Sequence, residues 1–197
     1  MNGIKSTIFI KPITGDVVAN EVLNCISSFR QLQEAYIMTY TLQNYDFFGH
    51  GFLTSLLSRQ ITNGANVTLV TTPPPGKPEK NNFKKKLLLL EELDRYGICL
   101  QLNENLHAKV YLFLDDKQVK TTIVGSANLT NRGFGMRGRP INNLLELALI
   151  TNDPDLYHQT LSMVDNNFIQ IKETEDFNTW RTKNYHKIAI AKRGSII

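Results

Sequence analysis

Cysteine is nearly absent. Cys25 and Cys99 are the only two in 197 residues, and they stand far apart, which argues against both a disulfide framework and a thiolate zinc site. That scarcity fits a reducing, intracellular setting. No apolar run approaches the roughly 20 residues needed to span a bilayer, and the first residues, MNGIKSTIFIKPITGD, lack the apolar stretch of a secretion leader. A soluble, cytoplasmic protein is the expectation. Internal repeats, a zinc-finger spacing and a carboxylate cluster suited to paired metal ions are missing as well. What remains, 42% hydrophobic and 20% charged residues, is the ordinary make-up of one globular domain with one substantial core.

Charge is only mildly one-sided, at +4 with a pI near 9.0, so its placement matters more than its sum. Arg132, Arg137 and Arg139 fall between residues 129 and 142 without an acid, and six Lys/Arg oppose three Asp/Glu from residue 172 onward. Both excesses suit a polyanion such as nucleic acid, although a solvated basic face is the commoner meaning of a charge run. Lys84, Lys85 and Lys86 are read as such a solvated face.

Periodicity supplies the architecture. Val22, Ile26 and Phe29 recur at helical spacing over 20–33, followed by a buried strand over 35–41. Phe52, Leu53, Leu56, Leu57 and Ile61 form a second stripe ending at Asn63-Gly64, with a strand over 67–71. Phe83, Leu87, Leu90 and Leu93 give a helix over 79–96, then come strands over 98–102, 106–114, 119–126 and 144–151, with Asp115-Asp116-Lys117 turning a hairpin. Asp153-Pro154 opens a helix running to about 169. The expectation is an α/β domain over 1–171, a mixed β-sheet with helices on both faces. Residues 172–197 form a C-terminal extension: a cap, a linker to a further domain, or a segment ordered by a partner.

The chemistry concentrates in 106–128, LHAKVYLFLDDKQVKTTIVGSAN. His107 and Lys109 are two apart in an apolar strand and so share one of its faces. A buried lysine is costly unless its charge is met, so Lys109 calls for an anion or an open pocket. Ser126 and Asn128 end the neighbouring strand, and Gly125 permits close backbone approach. Together these donors could surround a phosphate-sized ligand. A strand histidine or a Gly-Ser-x-Asn turn taken singly is more often structural; the two in this order, on adjacent strands, carry more.

HxK followed some twenty residues later by GSxN resembles the signature of the phospholipase D superfamily. LHAKVYLF and VGSANLTNRGF match closely, and the order of elements over 20–170 is similar to one repeat of its α/β/α sandwich. The family's aspartate, five positions after the lysine, falls here on Leu114; Asp115, one place late, is read as turn chemistry. The glutamate that follows GSxN finds its candidate in Glu146, at a longer spacing created by the Gly- and Arg-rich loop. The resemblance implies His107 as a nucleophile forming a covalent phosphohistidine. It implies Glu146 as the carboxylate fixing the imidazole, and Lys109, Asn128 and Ser126 as holders of the non-bridging oxygens. It requires no metal or other cofactor.

One HxK supplies half of a two-histidine machinery. A homodimer with its active site on the twofold axis completes it; His50 is read as a helix-start residue, and His158 and His186 as surface residues. Single-repeat members of the family include nonspecific nucleases and restriction-endonuclease catalytic domains. The expected activity is therefore a metal-independent phosphodiesterase cleaving DNA, with Arg132, Arg137 and Arg139 as a nucleic-acid rim. As a restriction enzyme it would need a specificity domain, or a methyltransferase or ATPase partner. A lipid-directed phosphodiesterase and a non-catalytic nucleic-acid-binding subunit are the alternatives.

Overall fold

The computed structural model describes residues 6–8, 15–27, 31–46, 49, 51–130, 147–164 and 174–193. A short strand, β1 (Ser6–Ile8), and a helix, α1 (Gly15–Ile26), precede β2 (Leu32–Thr39). Leu53, Leu56 and Leu57, at helical spacing, bury one side of α2 (Leu53–Thr62), and Gly64 closes its end at a φ of 94°, a conformation that costs glycine no Cβ clash. β3 (Asn66–Thr71), α3 (Asn81–Arg95) and β4 (Cys99–Asn103) repeat the step. β2, β3 and β4 lie parallel, the geometry that helical crossovers impose.

The direction then reverses. β5 (Lys109–Asp115) runs antiparallel to β2, and a tight turn returns the chain as β6 (Lys120–Gly125). Asp115 builds that turn, its carboxylate accepting from Lys117 N at 3.0 Å and Val119 N at 2.9 Å. β7 (Ala148–Thr151) joins β6, and β1 joins β7. Asp153 caps α4 (Pro154–Val164), accepting from Asp155 N at 2.9 Å and Leu156 N at 3.3 Å, with Pro154 in the first turn as the sequence predicts. The last elements are β8 (Thr174–Asp176), α5 (Phe177–Lys183) and α6 (Tyr185–Arg193). The eight strands lie in the order β1-β7-β6-β5-β2-β3-β4-β8.

Both faces of this mixed sheet are covered. Ala35, Ile37, Val67, Leu69, Tyr111 and Phe113 pack with α1, α2, α3, α5 and α6 in the larger core, while Tyr36, Met38, Val110 and Leu112 face α4 across the smaller one. The expected α/β sandwich is therefore the observed one. Several boundaries differ. The first helix spans 15–26 rather than 20–33, and the strand expected from residue 106 begins at Lys109, so His107 and Ala108 precede it. Beyond residue 171, β8 pairs with β4, and Phe177, Trp180, Ile188 and Ala191 are buried in the larger core.

One buried polar side chain ties the first helix to the sheet. Gln60 donates to Ile26 O at 3.1 Å and Ser27 O at 2.9 Å and accepts from Leu32 N at 3.1 Å. Leucine fills similar space but satisfies none of these groups, and each buried group left unmade costs about 1–3 kcal/mol. Gln60→Leu should lower the unfolding free energy by about 3 kcal/mol, read as a fall in the urea midpoint at constant slope. An unchanged midpoint would show that water replaces the amide at no cost.

Candidate active site

Parallel β2, β3 and β4 end at the same end of the sheet where antiparallel β5 begins and β6 stops. The topology thus gathers His107, Lys109, Ser126 and Asn128 at one end. Lys109 opposes Thr39 of β2, and Thr39 opposes Thr71 of β3. Directly paired residues share a face, so these three form a row on the side covered by α1, α2 and α3.

His107 is exposed, and Lys109 beneath it is only 7% exposed. The ammonium donates to His107 O at 2.7 Å and stands 3.4 Å from His107 Nδ1. Tyr40, just past the end of β2, completes a small aromatic and cationic cluster. Its ring lies 5.4 Å from the imidazole and 5.8 Å from Lys109 Nζ, distances at which aromatic pairing and cation–π attraction operate.

Asn128 is half-buried and its oxygen accepts from Thr41 N at 3.3 Å, which leaves the amide nitrogen as the half able to donate to an anion. Loops are stitched together around it. Thr39 Oγ1 donates to Thr41 O at 2.7 Å and accepts from Leu129 N at 3.1 Å, while Gln43 N donates to Leu129 O at 2.9 Å. Ser126 is exposed, and it is turned toward β7: Ser126 N donates to Leu147 O at 3.0 Å and its hydroxyl accepts from Leu147 N at 3.1 Å. The candidate carboxylate Glu146, the arginines Arg132, Arg137 and Arg139, and His50 lie outside the described residues. His158 and His186 are exposed on α4 and α6.

Gly125 is where a side chain has no room. A Cβ there would stand 2.6 Å from Leu147 O and 3.0 Å from Ala148 Cβ. Gly125→Ala should therefore push β6 and β7 apart, costing about 1–3 kcal/mol and displacing Ser126. A melting temperature and hydrogen-exchange rates at Ser126 and Leu147 equal to those of the parent chain would refute this.

Sequence reasoning missed two contributors. Tyr40 carried no signal beyond its position after an apolar strand. Lys86, read as part of a solvated face, is instead buried, at 9% exposure, and donates to Thr71 Oγ1 at 2.9 Å. The reason was visible: position 86 lies three after Phe83 and four before Leu90, on the buried stripe of α3. Burial pulls its pKa down to about 7. Among the described residues, no three His, Cys, Asp or Glu side chains cluster closely enough to hold a metal ion, and no helix is long and apolar enough to cross a membrane.

No curated protein sequence matches the chain. Among solved structures, phosphatidylserine synthase from Haemophilus influenzae Rd KW20 superposes with a TM-score of 0.62 at 11% identity, covering 96% of this chain and 43% of that one. Polyphosphate kinase from Porphyromonas gingivalis superposes with a TM-score of 0.57 at 16% identity, covering 82% and 25%. This chain thus spans less than half the length of either, and at such identities the likeness is one of fold. The family described as cardiolipin synthase, PLD-like domain, matches residues 22–171. With that much of its 197 residues matched, the chain belongs to the family of phospholipase D-like domains.

Proposed function

We propose that this chain is a metal-independent phosphodiesterase that cleaves DNA, acting as a homodimer with His107 of each subunit at a shared site. The observation that carries the reading is the exposed imidazole of His107 above the nearly buried ammonium of Lys109, at a sheet end that also holds Asn128. Neutral His107 attacks phosphorus through its unprotonated ring nitrogen, forming an N–P bond as the bond to the leaving oxygen breaks. Protonated His107 of the partner subunit gives its proton to that oxygen. The same imidazole then takes a proton from water, whose oxygen displaces the phosphohistidine and frees the nucleophile. Lys109 and Asn128 hold the non-bridging oxygens, Ser126 fixes the adjoining backbone or joins them, and Glu146 is the carboxylate assigned to the imidazole N–H.

DNA is favoured as substrate by the net charge of +4 and by Arg132, Arg137 and Arg139, whose acid-free stretch suits a polyanionic rim. A restriction-endonuclease role would place base recognition in a further domain or in a methyltransferase or ATPase partner. A lipid-directed activity is the second reading, favoured by the family's description as a cardiolipin synthase domain and by the fold shared with a phosphatidylserine synthase. The test is incubation of the pure chain with plasmid and with labelled phospholipid, both in EDTA. Nicked or linear plasmid with intact lipid is the expected result. Lipid turnover alone would transfer the same chemistry to the second reading, and binding of DNA without cleavage would make the chain a non-catalytic subunit.

A further inference from the structure

Beside the His107 cluster lies a groove of about 770 Å³, lined by Tyr40, Thr72, Lys85 and Lys86 among others, with Glu92 the one acid in its lining. Lys86 is an odd occupant for its floor. It is nearly buried, its ammonium meets the Thr71 hydroxyl, and no described carboxylate pairs with it in the way that Asp94, Glu175 and Glu91 pair with Arg181, Lys183 and Lys192. A buried amine held by one neutral hydroxyl is poorly compensated, and an apolar side chain of the same length would suit a purely structural position better. Burial alone brings its pKa down to about 7, and an anion arriving in the groove would favour the charged form again.

The row across the sheet fixes where that ammonium stands. Lys109, Thr39 and Thr71 are opposed on three adjacent strands, and two strand spacings amount to roughly 10 Å. The hydroxyl that anchors Lys86 is therefore about 10 Å from the backbone of Lys109, on the same face. Phosphates of one B-form strand rise about 3.4 Å per nucleotide along the axis while also turning around it, so that neighbouring ones stand roughly 6–7 Å apart. A strand whose scissile phosphate sits at His107 and Lys109 thus reaches Thr71 about one to two nucleotides away.

We propose that the groove floored by Lys86 is a second phosphate subsite, in which Lys86, aided by Lys85, grips a phosphate of the DNA substrate about one to two nucleotides from the one that His107 attacks. This rests on the DNA reading above. Tyr40, 41% exposed, lines the groove on the side of the His107 cluster.

The test is the salt dependence of binding, because a phosphate contact alters its slope whereas a structural lysine does not. A fluorescent 20-base-pair duplex is titrated with His107→Ala and with His107→Ala/Lys86→Met over a series of salt concentrations. Loss of one phosphate contact should reduce the magnitude of the slope of log K against log salt by about 0.9. As a readout free of any change at position 86, reductive methylation of the His107→Ala chain should modify Lys86 when free and spare it when the duplex is bound. An unchanged slope, methylation indifferent to DNA, or no binding at all would each overturn the subsite. Plasmid cleavage by the wild-type chain is scored separately. Cleavage without the slope change keeps the nuclease and removes the subsite, while the slope change without cleavage does the reverse.

Discussion

His107→Ala is expected to slow EDTA-resistant plasmid cleavage by about 10⁴-fold or more, the order of loss when a covalent nucleophile is deleted from a site whose other parts remain. The imidazole is exposed, beside the side chains of Tyr40 and Lys109. Removing it empties no core, so the unfolding free energy should stay within about 0.5 kcal/mol of the parent's. The measurement pairs loss of supercoiled plasmid with a urea melt. Cleavage within tenfold of wild type would exclude His107 as the nucleophile, and acid-labile, base-stable phosphate missing from quenched wild-type reactions would argue against a phosphohistidine.

Lys109→Met should cost about 10²- to 10³-fold in single-turnover rate, the usual effect of removing one donor to developing phosphoryl charge. Its effect on folding should run the other way. Lys109 is 7% exposed, and methionine has comparable length with no charge to desolvate. Among the contacts the variant gives up is the ammonium bond to His107 O at 2.7 Å, so some loosening of the 104–108 loop is included in the rate loss. A variant that fails to fold would make Lys109 a structural lysine, and a folded variant with full activity would remove it from phosphate binding.

Much of this was legible because the informative signals are local. Leu53, Leu56 and Leu57 announce α2, Asp153-Pro154 announces the start of α4, and the apolar runs around Lys109 and before Gly125 announce adjacent strands, as β5 and β6 turn out to be, although His107 and residues 126–128 lie just beyond their ends. The hairpin role given to Asp115 also holds, since its carboxylate accepts from two turn amides. What escaped depends on partners distant in sequence. β8 has three residues and exists because β4 offers it a ladder, and the burial of Trp180 is decided by helices laid down a hundred residues earlier. Lys86 escaped for another reason: residue type was weighed above helical phase, although its place between Phe83 and Leu90 already assigned it to the inward stripe.

The two outermost strands have a task that strand order alone does not advertise. β1 and β8, three residues each, occupy the opposite margins of the sheet, and both fall outside residues 22–171, the stretch shared with the family. Such short margins offer little template to another molecule, whereas the strands behind them, β7 and β4, would present a row of unpaired amides and carbonyls once uncovered. A fragment trimmed to the shared stretch would also lose the Phe177 and Trp180 packing. β1 and β8 therefore act as selvedges that keep the sheet from fraying into its neighbours.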